Sequence, residues 1–254
     1  MESTAHNLDS GSSNSKYFII CRHGERLDYL KTSEIDNMIN AKDPGLSKAG
    51  VEQAAISGKY LADFLKERNA TRIKVITSPM TRTIQTASEI ALQVGVNEVT
   101  LNNGFIEWMV KPYFLLEIDE MEFRTRDEED YRKTYLQDKH SDIKYTDLKN
   151  DTAELTATKP ESDIQIAKDR IIEYSKKFYE NKEAMEDYDA VIAVSHLFSV
   201  EALSQHFKGD GCERGYCTMS AIHIDNSTVS LFLKPKCMNK FSYRISLKIR
   251  TINW

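Results

Sequence analysis

The chain has 254 residues, a mass of 29.2 kDa and 41% hydrophobic residues, which is enough for a sizeable core. Its 34 Lys and Arg stand against 39 Asp and Glu, a net charge of −5, so no bulk field draws it to nucleic acid or anionic lipid. No apolar run reaches the roughly 20 residues of a membrane helix, and residues 1–15 lack the apolar segment of a secretory signal, so a cytoplasmic, reducing setting is expected.

Residues 1–15, rich in Ser, Asn and Gly, hold too little apolar surface to offset the entropy of ordering and are expected as a flexible tail. Residues 16–254 are expected as one folded domain. Residues 16–21 read as a buried strand, and Ser47 caps a helix running to about Lys66. The β-branched run 73–77 predicts a second strand. It feeds a helix over about 80–94, with Ile84, Ala87, Ile90, Ala91 and Val94 at helical spacing and Gly95 as its stop. A third strand is predicted at 99–101.

The charged stretch 108–160 then reads as an irregular insertion over one face, with an acidic patch at 127–130. Pro160 and Glu161 open a helix to about Glu186. The wholly apolar run 190–194 predicts a strand covered on both faces, and a helix over about 198–207 follows. Strands at 221–225, 228–234 and 241–247 close the chain. Strands alternating with helices and ending in a hairpin indicate α/β architecture, a three-layer α/β/α sandwich with a mostly parallel central sheet. The closing hairpin could pair with a second copy, which is compatible with a homodimer. The basic residues Lys234, Lys236, Lys240, Arg244, Lys248 and Arg250 alternate with apolar ones and read as the wet face of edge strands.

Four cysteines, Cys21, Cys212, Cys217 and Cys237, are too few for a disulfide framework in a chain of this length and are expected as buried thiols. A zinc site could be sketched from Cys212, Cys217, His206 and His223, but no second Cys-x-x-Cys pair supports it. His6 and His140 are expected in solvent.

Three polar clusters stand where the predicted strands end, the edge at which open parallel sheets bind ligands. Arg22-His23-Gly24-Glu25-Arg26 follows the first strand. Its two arginines repel one another unless an anion or a carboxylate lies between them; alone, the cluster also fits a surface turn with a salt-bridged Arg. Arg82 falls in the first turn of the helix after the second strand, where a cation gains from the helix end only when an anion joins it. Ser195 and His196 end the apolar strand at 190–194. Coincidence is a poor explanation for three strands delivering Arg or His to one edge.

These residues carry a resemblance. The run from Phe18 to Arg26, Pro44-Gly45-Leu46-Ser47 with Gly50, Ser78-Pro79-x-x-Arg82-Thr83-x-Gln85-Thr86-Ala87 and Ser195-His196 resemble the histidine phosphatase superfamily, with its phosphoglycerate-mutase-like fold. Cys21 to Arg26 and Glu107-Trp108 are similar to the phosphatase domains of the suppressor-of-T-cell-receptor-signalling (TULA-type) proteins and of ecdysteroid-phosphate phosphatases.

The resemblance implies a metal-independent phosphomonoesterase that needs no cofactor. His23 would be the nucleophile forming a phosphohistidine, and Arg22, Arg26, Arg82 and His196 would grip the phosphoryl oxygens. Glu107 would protonate the leaving group, which requires a raised carboxyl pKa that Phe105, Ile106 and Trp108 or the bound phosphate could supply. Glu25 would hold Arg26 or Arg22 in orientation. The implied partner is a phosphate ester: phosphotyrosine, a steroid phosphate or a small aryl phosphate. A mutase that returns the phosphoryl group to a sugar acid and a catalytically weak phospho-ligand scaffold are the alternatives. Trp108, Tyr113 and Phe114 either line the substrate mouth or form local core.

Overall fold

The computed structural model describes residues 15–29, 43–108, 140–147, 161–180, 183–209, 214–225, 228–236 and 250–252. The tail 1–14, His6, Tyr113, Phe114, the acidic patch 127–130, Cys212, Cys237 and the strand expected at 241–247 lie outside them, as do Lys240, Arg244 and Lys248.

Tyr17 to Cys21 are apolar at every position, so a strand here is stable only between two covering layers. β1 (Lys16–Arg22) has both. Tyr17, Ile19 and Cys21 face α1 (Lys48–Lys66) and α2 (Thr81–Val94). Phe18 and Ile20 face α3 (Ile164–Tyr179) and α4 (Leu197–His206). The strand β5 (Ala190–Ser195), apolar up to Val194, alternates in the same way.

With β2 (Ile73–Thr77), β3 (Glu98–Leu101), β4 (Lys144–Asp147), β6 (Met219–Ile224), β7 (Val229–Lys236) and β8 (Arg250–Ile252), the described strands form one sheet in the order β4-β3-β2-β5-β1-β6-β7-β8. β4 through β1 are parallel. β6, β7 and β8 are antiparallel. The result is the expected α/β sandwich with a mixed, mostly parallel sheet, and β5 lies between β2 and β1. No helix among the described residues is long and apolar enough to cross a membrane.

The helix ends follow local chemistry. Ser47 Oγ accepts from Gly50 N at 3.0 Å to cap α1, and Gly95 closes α2 at φ 74°, in the left-handed region that glycine tolerates. Gly50 serves a second purpose: a Cβ there would lie 2.2 Å from the Glu25 carbonyl oxygen, and one on Gly24 would lie 2.4 Å from the Gly50 carbonyl oxygen. The loop after β1 thus packs backbone to backbone on α1. Gly50→Ala is expected to lower unfolding free energy by about 3 kcal/mol and to depress activity through the displaced loop. An unchanged urea midpoint would contradict this close packing.

Several expectations are corrected. α3 begins at Ile164 instead of Pro160, because the Asp163 side chain accepts from Gln165 N and caps it there; it ends at Tyr179, and a short 3₁₀ turn, Glu183–Met185, leads into β5. The stretch read as irregular contributes β4, whose sequence KYTD has too little apolar alternation to signal a strand. His140 is 3% exposed and bonds through Nε2 to Glu89 Oε1 of α2 at 3.0 Å. Cys21 and Cys217 are buried free thiols, as expected. The sketched zinc ligands His223 and His206 pack on Tyr17 and on Tyr179 with Phe207, on different faces of the sheet.

Candidate active site

β1 and β5 are parallel neighbours with Arg22 opposite Ser195, so the residues that follow, His23 and His196, emerge side by side at the carboxyl edge. His23 N donates to Ser195 O at 3.0 Å, and the two rings lie 5.5 Å apart at 63°. Both residues are buried.

The His23 ring is held by Nδ1, 2.7 Å from the Gly24 carbonyl oxygen. A carbonyl can only accept, which assigns the proton to Nδ1 and leaves the lone pair on Nε2. Burial, followed by the charges of Arg82, His196 and Arg22, lowers the proton affinity of His23 well below that of an ordinary imidazole. The ring is therefore a neutral, desolvated base. The Thr86 hydroxyl joins the support: it accepts from Gly24 N at 3.1 Å and donates to Arg82 O at 2.7 Å.

Arg82 is 2% exposed. Its Nη1 lies 3.4 Å from Asp43 Oδ1, and its Nη2 lies 3.2 Å from Glu107 Oε2 and 3.1 Å from Met80 Sδ. Asp43 also accepts from Thr81 N at 2.9 Å and from Thr81 Oγ1 at 2.7 Å. This carboxylate from a distant segment caps α2, whose own N-cap residue, Met80, has no side-chain cap.

Glu107 Oε2 is 3.0 Å from His196 Nδ1, and His196 Nε2 is 3.1 Å from Ser78 Oγ. The network fits Nδ1–H donating to the carboxylate and the serine hydroxyl donating to Nε2. Burial brings His196 down to about 4 against the opposing pull of Glu107. For Glu107, burial acts upward, but His196 and Arg82 outweigh it and hold the carboxyl below the usual range. The raised value expected from its apolar neighbours is thus corrected: beside the Arg82 cation and the His196 N–H, Glu107 is ionised.

Arg22 Nη1 donates to Arg214 O at 2.9 Å and to Gly215 O at 3.2 Å, and its guanidinium lies 4.4 Å from the centre of the Tyr216 ring. Arg26 is engaged differently. It pairs bidentately with Asp28, at 2.9 and 2.5 Å, and stacks on Tyr29. Its charge still acts on His196 and Glu107. Glu25 holds neither arginine; Oε1 accepts from Ser47 Oγ at 2.7 Å, tying the loop to the start of α1. Trp108 donates Nε1 to Glu161 O at 3.3 Å and packs against the α3 side of the core, the local-core alternative.

The structure therefore brings together His23, His196, Arg82 and Glu107, with Arg22 beside them and Arg26 at the rim. It adds Asp43, Ser78 and Tyr216, which sequence pattern did not single out as site residues. Only Ser78 carried a signal, standing in the motif that contains Arg82. Among the described residues, His23, Glu107 and His196 could offer ligand atoms within 4.8 Å of one another to a metal ion. Arg82, however, already contacts Glu107 and His196, and its positive charge suits an anion better than a second cation.

Two buried donors, Arg22 Nε and Arg82 Nε, have no hydrogen-bond partner among the described residues. Leaving such a donor unmatched costs about 1–3 kcal/mol. An oxyanion is the kind of group that matches such donors.

Comparison with known proteins identifies the family and the fold. Residues 18–233 match the histidine phosphatase superfamily (branch 1). The 6-phosphofructo-2-kinase/fructose-2,6-bisphosphatase 4 of Rattus norvegicus is 37% identical over 119 residues, 46% of this chain and 23% of that protein. The chain thus matches under a quarter of that relative's length. Ecdysone phosphate phosphatase from Bombix mori, solved with tungstate, has a TM-score of 0.57 at 14% identity, over 91% of this chain and 98% of that one. Phosphoglycerate mutase from Bacillus anthracis str. Sterne has 0.50 at 16%, over 84% and 89%. At these identities the solved structures establish a shared phosphoglycerate-mutase-like fold. With the family match spanning most of its length and the paired histidines in place, the chain belongs to the histidine phosphatase superfamily.

Proposed function

We propose that the protein is a phosphomonoesterase that works through a phosphohistidine on His23 and requires no metal ion. The observation that carries this reading is the neutral, buried imidazole of His23 beside the buried guanidinium of Arg82 and the half-buried one of Arg22, whose buried Nε atoms have no partner among the described residues. In the first step the Nε2 lone pair attacks phosphorus as the ester P–O bond breaks, and the bond's electrons leave with the alcohol oxygen, which takes a proton from Glu107. In the second, water gives a proton back to Glu107 and attacks phosphorus, breaking the P–N bond. Arg22 and Arg82 stabilise the charge spread over the equatorial oxygens, the main task in phosphoryl transfer, and neutral His196 orients Glu107 through its Nδ1–H. Arg26 adds its field from the rim.

For the substrate, an aryl ester, phosphotyrosine or a steroid phosphate is the preferred class. The Tyr216 ring centre lies 6.3 Å from that of His23, and Tyr29, stacked on Arg26, is 58% exposed; both give a planar leaving group an aromatic surface. A second reading, a sugar bisphosphate, is favoured by the partial match to the fructose-2,6-bisphosphatase relative.

The test is turnover of p-nitrophenyl phosphate with a chelator present, followed by alkaline quench of enzyme exposed to a radiolabelled ester. Turnover with acid-labile label on His23 is expected. Loss of activity to the chelator would overturn metal independence, and an inert protein would be a scaffold. Label passed to added phosphoglycerate would reveal a mutase. Comparing phosphotyrosine, a steroid phosphate and fructose 2,6-bisphosphate ranks the substrate classes.

The ionised Glu107 has a consequence for pH. Its proton must arrive with the substrate, as the monoanion, which is lost above about pH 6. For a simple alkyl phosphate kcat/KM is expected to fall about tenfold per pH unit above that point. For p-nitrophenyl phosphate, whose leaving group needs no proton, the decline is expected to be much shallower. Both histidines titrate below the ordinary imidazole range and their neutral forms are the competent ones. The acid limb is therefore expected near the His196 value of about 4. Identical profiles for the two esters would contradict proton delivery by Glu107.

A further inference from the structure

α3 supplies none of the groups that surround His23, yet it buries a cation against the loop that carries Glu107. Arg170 is 8% exposed. Its Nη1 donates to Gly104 O at 2.9 Å and Ile106 O at 3.3 Å, and its Nη2 lies 3.3 Å from Ile106 O and 3.4 Å from Glu107 O. Three carbonyls of a four-residue stretch thus converge on one guanidinium.

The guanidinium is itself fixed. Glu161, 7% exposed, accepts from Nε at 2.8 Å and from Nη2 at 3.2 Å. Such a fork-to-fork pair sets the plane of the donor as well as its place. The Glu161 carbonyl oxygen accepts from Trp108 Nε1, so the residue after Glu107 is tied to the same anchor. Further along α3, the Tyr174 hydroxyl bonds to the Asn102 side chain, and the Phe105 ring packs edge-on against Tyr174 at 5.1 Å. The backbone of Glu107 is therefore held from the α3 side, while its carboxylate meets Arg82 and His196 from the sheet side.

We infer that Arg170, anchored by Glu161, is the positioning residue that sets Glu107 for proton delivery to the leaving group. The inference rests on the reading of Glu107 as the acid given above. Arg170 touches neither substrate nor reacting atoms; it acts by fixing the backbone from which the carboxyl is delivered. A small misplacement of an acid weakens proton transfer while sparing steps that need no proton. A merely structural role predicts no such selectivity.

The experiment compares kcat/KM for p-nitrophenyl phosphate and a simple alkyl phosphate in Arg170→Lys, Glu161→Gln and Glu107→Gln. This ratio reports transfer to His23, the step in which the leaving group departs. Arg170→Lys, which loses the fork, is expected to lose roughly 100-fold on the alkyl ester and no more than about threefold on the nitrophenyl ester. Equal losses on both esters, or no loss on the alkyl ester, would overturn the inference. If Arg170→Lys does not fold, Glu161→Gln carries the test: it keeps the guanidinium, frees its plane, and is expected to lose about tenfold on the alkyl ester alone. Glu107→Gln separates the two readings. If its losses are unselective, Glu107 is not the acid; if they are selective while those of the folded α3 variants are not, only the positioning role of Arg170 fails.

Discussion

His23→Ala is expected to lower kcat/KM for p-nitrophenyl phosphate by roughly 10⁵-fold and to abolish the acid-labile phosphoenzyme. The size follows from what the ring does. Its Nδ1 is committed to the Gly24 carbonyl, its Nε2 holds the lone pair, and burial with three neighbouring cationic or imidazole groups keeps it unprotonated. Alanine removes the Nε2 lone pair that forms the P–N bond. The anion grip survives the change, because Arg22 keeps its carbonyl contacts and Arg82 its carboxylate contacts. Orthophosphate or tungstate is therefore expected to bind the variant within about fivefold of wild type. Retained turnover, or phosphoenzyme formed at another residue, would sink the proposed chemistry.

Arg82→Lys is expected to cost about 10³-fold in kcat/KM, with KM raised and kcat lowered together. One planar guanidinium meets Asp43, Glu107, the Met80 sulfur and the His196 ring. An ammonium cannot span them, and whichever carboxylate it abandons is left in a buried site without its counter-ion. The loss of a fork-shaped donor weakens both ground-state binding and transition-state charge stabilisation. Steady-state constants beside a thermal melt would check this. Activity within threefold of wild type in a folded variant would show that the phosphoryl group is held elsewhere.

Both predictions concern residues visible in the primary structure, and the reason is local. His23 and His196 each follow an apolar run by one polar residue, and Arg82 lies in the first turn of an amphipathic helix after a third strand. Burial on two faces and helical spacing are short-range patterns, so the strand ends, and the polar residues placed there, could be located from neighbouring residues alone. The cap at Ser47 and the stop at Gly95 were legible for the same reason. Glu107 was found through resemblance, since nothing periodic marks it.

Other features have no local signature. β4 is too short and polar to announce itself, and only pairing with β3 makes it a strand. His140 looks solvent-facing until Glu89 of α2 is brought to its ring. The start of α3 was misplaced because proline and glutamate at 160–161 resemble a helix opening, whereas the Asp163 side chain performs the cap and Glu161 turns back to Arg170.

The sequence by itself determined the alternation of buried strands and amphipathic helices, the polar residues at the strand ends, and the chemistry those side chains can perform. These properties depend on covalent order and on residues a few positions apart. Only the tertiary structure decided how the groups are poised. Arg22 is oriented by carbonyls 192 and 193 residues away, Asp43 reaches Arg82 across 39 positions, and Arg170 reaches the Glu107 loop across more than 60. The ionised state of Glu107 is likewise a property of the assembled site, because burial and the groups on three separate elements act on it with opposite signs. Their balance depends on distances set only when the chain folds.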